Sequence, residues 1–177
     1  MKLKKNLVFL GMMGSGKTSI GLIVSKKLKS NFIDIDEEIE KKIGMKISKI
    51  FETKGENFFR ELEEKITLKI LQKSNCVISL GGGTFLNQNI KSEILKNHLS
   101  FWLNWDTKTL VNRIKNSAKR PIAFKSSKKE LIELINKRSN TYAKALYKIN
   151  CENLTKSEIV KRILDILDIN ENNQITD

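Results

Sequence analysis

Short apolar runs alternate with longer amphipathic segments along this chain. The short runs, bounded by Gly or polar residues, predict buried strands at 6–10, 31–36, 76–80, 100–105 and 147–151. Apolar residues spaced three and four positions apart predict helices at 17–28, 37–54 (one or two helices around Gly44), 56–73, 88–97, from 106, 130–146 and from 156. Because strands and helices alternate, we predict an α/β fold with a mainly parallel sheet.

The pattern predicts a single domain. Neither an internal repeat nor a shift in composition marks a second unit, so we expect one domain over residues 1–168. The polar stretch 116–129, which contains the only Pro, predicts a mobile loop. The last residues, 169–177, predict a frayed, disordered tail.

Composition excludes several classes of protein. With 177 residues, 40% hydrophobic and 30% charged, the chain is long enough for a core and too polar for a membrane protein. The basic start and apolar run are followed at once by GSGKT, so we expect no signal peptide and a cytoplasmic location. Cys76 and Cys151 form no CxxC pair and predict reduced thiols, and a single His does not suit an ordinary zinc site.

The net charge is +13, from 33 Lys and Arg against 20 Asp and Glu. This excess is compatible with a nucleic-acid partner, an anionic membrane, a small polyanionic ligand or a generally Lys-rich surface. Arg is nevertheless rare and occurs only at positions 60, 113, 120, 138 and 162. In a chain so rich in Lys, each Arg raises the question of whether its planar guanidinium is needed for binding.

One motif has a specific chemical meaning. Residues 11–18, GMMGSGKT, match G-x-x-x-x-G-K-[ST] and stand between a predicted strand and a predicted helix. The glycines let several backbone N–H groups face one anion, and the helix N-terminus adds partial positive charge. In this motif Lys17 contacts the β- and γ-phosphates, and the Thr18 hydroxyl binds Mg²⁺. The motif predicts a nucleoside triphosphate site but not the reaction.

Asp34 and Asp36 stand at the end of the second predicted strand. Residues two apart in a strand point the same way, and ligands of open α/β sheets bind beyond the carboxyl ends of strands. One carboxylate is a candidate to hold Mg²⁺ through water, and the other to orient or deprotonate a hydroxyl. A structural cap of the helix that begins with EEIEKK is an equally good interpretation.

Two arginines on predicted helices receive different interpretations. Arg60 lies four residues from both Glu56 and Glu64, which favours a solvated, salt-bridged helix face. Arg138 falls near the apolar stripe of its helix, where a charge must reach solvent or a fixed anion. That position favours a ligand or a buried partner for Arg138.

Loops and aromatic residues add further candidates. The three glycines at 81–83 follow a buried strand, and their entropy cost favours close approach of backbone to a substrate or phosphate. Arg120-Pro121 is either a mobile element that closes over a transferring phosphate or part of a basic surface loop. Trp102 and Trp105 are expected on opposite faces of a strand, which favours packing over a base-stacking platform.

Taken in their order along the chain, these features resemble those of the shikimate kinases. The shikimate kinases are P-loop kinases of the nucleoside-monophosphate-kinase-like type. The features that carry the resemblance extend from residue 7 to about 165. They are the GMMGSGKT motif, which is a phosphate-binding loop or P-loop, followed by the D-x-D, the FRxxE helix, the GGG, the R-P loop and a late Arg-x-x-x-Tyr. The resemblance implies a three-layer α/β/α fold with a five-stranded parallel sheet, a substrate-binding region at about 34–62 and a mobile lid at about 113–128. It implies that the chain uses ATP and Mg²⁺ to phosphorylate the 3-hydroxyl of shikimate. We also expect a monomer.

The resemblance also implies a role for each matched residue. ATP would be bound by Gly11, Gly14, Ser15, Gly16, Lys17, Thr18, Ser19, Arg113 and Arg120. Mg²⁺ would be bound by Thr18 and Asp34. Shikimate would be bound by Asp36, Arg60, Gly81, Gly82, Gly83 and Arg138, and the catalytic residues would be Asp36, Lys17 and Arg120. Arg113 would flank the adenine, Arg120 would come from the lid, and Asp36 would be the base. Arg60 and Arg138 would bind the shikimate carboxylate, which reverses the local interpretation of Arg60.

Two alternatives stay open at this level. A gluconate or nucleotide kinase would share the P-loop, although the Arg pair and the D-x-D favour a hydroxylated acid as acceptor. A nucleic-acid-binding or regulatory P-loop protein would account for the charge. Against it, the chain has no NKxD signature, no known nucleic-acid motif and no interleaving of aromatic and basic residues. We therefore expect small-molecule partners, and neither a nucleic acid nor a membrane.

Overall fold

The computed structural model describes residues 3–116 and 127–173, and side chains as far as residue 168. The strands are β1 (Leu7–Leu10), β2 (Asn31–Asp34), β3 (Cys76–Ser79), β4 (Leu99–Asn104) and β5 (Tyr147–Asn150). The helices are α1 (Lys17–Lys27), α2 (Ile35–Ile43), α3 (Ile47–Leu71), α4 (Gln88–Asn97), α5 (Thr107–Lys115), α6 (Lys128–Tyr142) and α7 (Lys156–Asn173). A 3₁₀ turn spans Thr84–Leu86.

The five strands form one sheet in the order β2-β3-β1-β4-β5, and every neighbouring pair is parallel. This confirms the predicted α/β fold with a five-stranded parallel sheet. Strand β1 lies in the middle, where Leu7 pairs with Val77 on one side and Leu99 on the other. All strands therefore end at the same edge of the sheet, and this edge is where open α/β sheets bind ligands.

Successive residues of β1 serve opposite faces of the sheet. Leu7 and Phe9 pack on one side, in a cluster with residues of α1 and α7. Val8 and Leu10 pack on the other, in a cluster with residues of helices α2 to α6. Helices thus cover both faces, as parallel sheets require, and β1 is apolar throughout because both of its faces are buried.

Several boundaries differ from the sequence pattern. Strand β2 ends at Asp34, and α2 begins at once, so Asp36 lies in the first helical turn rather than on a strand. The helix predicted at 56–73 begins earlier, because α3 starts at Ile47, and the predicted boundary at Gly55 is present as a kink with φ 81° and ψ 171°. Helix α7 continues to Asn173, past the boundary predicted at 168.

The predicted lid falls largely on residues 117–126. That segment contains Arg120 and Pro121, which lie outside the described residues. Helix α5 leads into it and α6 follows it. In the part of the chain that is described, no helix is both long and apolar enough to cross a membrane.

Candidate active site

The loop between β1 and α1 curls around an open helix N-terminus. Gly11, Gly14 and Gly16 have φ values of 138°, 79° and 92°, which side-chain-bearing residues rarely adopt. The Ser15 N–H donates to the Met12 carbonyl at 3.1 Å and tightens the turn. No side chain of the described residues caps α1, whose N-cap is Gly16. An anion bound in the loop would therefore accept hydrogen bonds from the first N–H groups of α1.

Lys17 begins α1 and is buried beneath this loop. Its Nζ donates to the carbonyls of Gly11 at 2.9 Å and Met12 at 3.0 Å. The next residue, Thr18, donates its hydroxyl to Asp34 Oδ2 at 2.7 Å, and Ser19 is exposed in the same turn. The loop thus presents an ammonium, a hydroxyl and backbone N–H groups, which suits a polyphosphate with a bound divalent cation.

The two aspartates have different environments. Asp34 is buried and caps α2, since its Oδ1 accepts from the N–H groups of Asp36 at 3.0 Å and Glu37 at 3.5 Å. Its other oxygen accepts from Thr18. Asp34 therefore combines both interpretations that the sequence left open, because it caps the helix and also reaches the P-loop. Asp36 is half-buried, and its Oδ1 lies against the backbone of Gly81.

The three glycines after β3 are needed because atoms of other segments crowd against them. A Cβ placed on Gly81 would lie 2.6 Å from Asp36 Oδ1, and one on Gly83 would lie 2.8 Å from Arg60 Nη1. A Cβ on Gly82 would lie 3.3 Å from the Met13 nitrogen of the P-loop. We define Gly81–Gly83 as the triglycine loop. It brings the P-loop, an aspartate and an arginine to one short stretch of backbone.

Arg60 is held by two carboxylates. Its Nη1 donates to Glu63 at 2.7 Å, and its Nη2 and Nε donate to Glu56 at 3.2 Å. Burial alone would lower the pKa of Arg60, but the two carboxylates outweigh burial and raise it. The predicted pairing with Glu56 is present, whereas the predicted pairing with Glu64 is wrong. Glu64 instead accepts from the amides of Asn87 and Asn89.

Glu63 is a buried carboxylate that the sequence interpretation missed. It bridges Arg60 and the Thr84 hydroxyl, which donates to it at 2.6 Å. Its position held a signal, since Glu63 lies four residues after Phe59 and three before Ile66, on the buried face of α3. A charge at such a position requires a fixed partner. Glu63 thereby fixes Arg60 above the triglycine loop.

Arg138 reaches the same loop from α6. Its Nη1 donates to the Gly82 carbonyl at 3.2 Å, and the Tyr142 hydroxyl donates to the same oxygen. Burial raises the pKa of Tyr142 to about 12, so this hydroxyl stays a donor. Arg138 Nε is buried without a hydrogen-bond partner, and the described residues give Arg138 no salt bridge. A half-buried cation without an anion is what a ligand carboxylate would complete.

These side chains line one cleft of about 700 Å³ at the carboxyl edge of the sheet. The predicted residues that line it are Lys17, Thr18, Asp34, Asp36, Arg60, Gly81, Gly82, Gly83 and Arg138. Arg113 does not line it and lies on α5, beside Gly14 on the other side of the P-loop. Arg120 lies outside the described residues. The cleft therefore combines the P-loop, with the ammonium of Lys17, and two guanidiniums, those of Arg60 and Arg138.

Comparison with known proteins identifies the family. The model of the shikimate kinase family matches residues 13–168. The chain belongs to the shikimate kinase family. The shikimate kinase of Sulfurihydrogenibium sp. strain YO3AOP1 is 42% identical over 160 residues, which cover 90% of this chain and 96% of that one.

Two solved shikimate kinases have the same architecture. The enzyme from Aquifex aeolicus vf5 has a TM-score of 0.84 at 34% identity, covering 94% of this chain and 98% of that chain. The enzyme from Acinetobacter baumannii, solved in complex with shikimate, has a TM-score of 0.87 at 26% identity and covers 94% of both chains.

Membership of the shikimate kinase family sets the class of reaction. Shikimate kinases are phosphotransferases that use ATP and an alcohol group of shikimate, and they serve aromatic amino-acid biosynthesis. The gluconate and nucleotide kinases that the sequence left open are thereby set aside. Within the described residues, no cluster of three or more His, Cys, Asp or Glu suits a metal on its own.

Proposed function

We propose that this chain transfers the γ-phosphoryl group of ATP to the 3-hydroxyl of shikimate. The observation that carries the proposal is a single cleft lined by Lys17, Asp36, Arg60 and Arg138. Lys17 matches the phosphates of the donor. Arg60 and Arg138 match the carboxylate of the acceptor, and Asp36 matches its hydroxyl. Phosphoryl transfer requires mainly positioning and charge stabilisation, and these groups supply both.

The acceptor carboxylate is bound by Arg60 and Arg138. Both guanidiniums contact adjacent residues of the triglycine loop, so their separation is fixed by backbone. Arg60 already has Glu56 and Glu63, and these pairs orient it. Arg138 has no anion among the described residues and supplies the uncompensated positive charge. The backbone of Gly81, Gly82 and Gly83 then forms the floor beneath the ring of the acceptor.

Asp36 orients the acceptor hydroxyl and takes its proton. Its carboxylate lines the cleft and touches Gly81, so an acceptor lying on the triglycine loop comes within its reach. Lys17 and the backbone N–H groups of the P-loop stabilise the charge on the transferring group. Ser15 and Ser19 complete the polyphosphate site. Arg120, from the segment outside the described residues, would add charge stabilisation by closing over ATP.

A magnesium ion fits beside Thr18 and Asp34. Their oxygens lie 2.7 Å apart next to the P-loop, and hydroxyl, carboxylate, water and phosphate oxygens are the ligands that Mg²⁺ prefers. Thr18 would bind the ion directly and Asp34 through water. The ion would neutralise phosphate charge when bound with ATP.

Location and assembly are expectations of the same proposal. We expect a cytoplasmic monomer that binds small molecules and neither nucleic acid nor membrane. Most of the excess positive charge comes from Lys, which we assign to solvated helix faces. A sedimentation measurement on the purified chain tests the monomer.

Replacing Arg138 with Lys should raise the KM for shikimate by about tenfold or more, with a smaller change in kcat. An ammonium is a point charge and cannot bind the carboxylate with two parallel hydrogen bonds. Steady-state kinetics with saturating ATP measure the effect. Lys137→Ala, on the same helix but exposed, is the matched control. An unchanged KM would remove Arg138 from the site.

Replacing Gly83 with Ala should raise the KM for shikimate by roughly tenfold by displacing Arg60. Gly83 has φ −107° and ψ −13°, which Ala adopts readily, so the effect comes from the contact with Arg60. The KM for ATP should stay unchanged. In an Arg60→Ala background the same substitution should add little. Equal losses in both backgrounds would contradict this account.

The proposal is tested by following ADP release with a panel of hydroxy acids, sugars and nucleoside monophosphates. Turnover should be confined to shikimate, and the product should carry phosphate on the 3-oxygen by NMR. Turnover only with a nucleoside monophosphate, or phosphate on another oxygen, would overturn the proposal.

A further inference from the structure

Trp105 and Arg113 form a stacked pair beside the P-loop. The guanidinium carbon of Arg113 lies 3.6 Å from the centre of the Trp105 ring. Trp105 is half-buried and Arg113 is exposed, so the indole covers one face of the guanidinium. The described residues give Arg113 no salt bridge. The stack, rather than an ion pair, therefore fixes the position of this guanidinium.

The pair is joined directly to the P-loop. Trp105 Nε1 donates to the Ser15 carbonyl at 2.9 Å. A Cβ placed on Gly14 would lie 3.5 Å from Arg113 Cβ, so α5 packs on the loop at that point. The plane of the guanidinium is consequently set relative to the residues that hold the polyphosphate.

The pair lies on the side of the P-loop that faces away from the acceptor. The cleft with Arg60 and Arg138 opens on the side of β2 and β3, whereas Trp105 follows β4 and Arg113 is on α5, across β1. In-line transfer requires the γ-phosphate to point into the cleft. The nucleoside end of the triphosphate must then extend towards β4 and α5, where Arg113 lies.

We infer that Trp105 is a positioning residue for the nucleotide base. The indole of Trp105 holds the guanidinium of Arg113 stacked against its ring. The opposite face of the guanidinium then stacks on the base of a nucleotide whose phosphates occupy the P-loop. Guanidinium planes stack well on aromatic rings, and a pre-oriented plane loses less freedom when the base binds. The inference rests on the proposed use of ATP and adds a residue that acts through Arg113.

Equilibrium binding of two ligands tests the inference. Isothermal titration calorimetry with ADP and with pyrophosphate, both with Mg²⁺, separates contacts to the nucleoside from contacts to the phosphates. Trp105→Leu should weaken ADP about three- to tenfold and leave pyrophosphate within about twofold of wild type. Trp105→Phe, which keeps an aromatic ring but loses the N–H, should retain most of the ADP affinity. In an Arg113→Ala background, Trp105→Leu should add no further loss.

Other outcomes overturn the inference. Equal weakening of ADP and pyrophosphate would make Trp105 only a support for the P-loop. An unchanged ADP affinity, or an additive loss in the Arg113→Ala background, would also refute it. If Trp105→Leu does not fold, Trp105→Met, which fills more of the indole volume but has no ring, must show the same selective loss for ADP. Since none of these titrations uses an acceptor, a failure of shikimate phosphorylation would be seen separately.

Discussion

Replacing Lys17 with Ala is expected to lower kcat by about 10³-fold or more while leaving the fold intact. Lys17 is the only P-loop residue with a full positive charge, and it lines the cleft where the γ-phosphate would lie. Charge that develops on the transferring group would then have no ammonium to stabilise it. Ala is the best helix former, so α1 should persist. ADP release with shikimate measures the rate, and circular dichroism measures the fold.

The control for Lys17→Ala is Lys26→Ala, an exposed residue in the last turn of the same helix. Lys26→Ala loses the same charge from the same element and should keep wild-type kinetics. Turnover of Lys17→Ala within about tenfold of wild type would refute the assigned role, since a lost transition-state contact costs more than that.

Replacing Asp36 with Asn is expected to lower kcat by about 10²- to 10⁴-fold with a small change in the KM for ATP. Asn has nearly the same shape, so the contact with Gly81 is kept. An amide accepts no proton, and therefore the acceptor hydroxyl would lose the base that we propose for it. Rapid-quench measurement of a single turnover reports the chemical step and separates it from product release.

Glu38→Gln is the matched control for Asp36→Asn. Glu38 lies in the same first turn of α2, and its change removes one negative charge near the same helix N-terminus. It does not line the cleft and should leave the single-turnover rate unchanged. Equal rate losses in both variants would mean that the charge of the helix turn matters, and that Asp36 is not the base.

The fold could be predicted from the sequence because its signals are local. Strand β1 is apolar at every position, and GMMGSGKT follows it directly. Chain reversal, helix start and anion-facing N–H groups all depend on neighbouring residues. The alternation of strands and helices then restricts the sheet to a parallel arrangement. Strand order is not a local property, and only the four strand pairings of the folded sheet show it.

The site was less predictable where partners come from different elements. Local spacing favoured a solvated Arg60, yet Arg60 lies at the triglycine loop and pairs with buried Glu63. Spacing along a helix predicts which residues are neighbours on that helix, but it does not predict which of them contacts another element. Thr84, which completes the partners of Glu63, is distant in sequence and is brought close only by the fold.

By itself, the sequence determined the class of fold, the phosphate-binding loop and the set of residues available for chemistry, since these depend on periodicity and on short motifs. Tertiary structure decided which of these residues meet. It placed Asp34 against Thr18, Asp36 against Gly81, and Arg113 against Trp105 on the far side of the P-loop. The physical reason is that such contacts join side chains from different elements, whose distances are set by strand order and helix packing rather than by spacing along the chain.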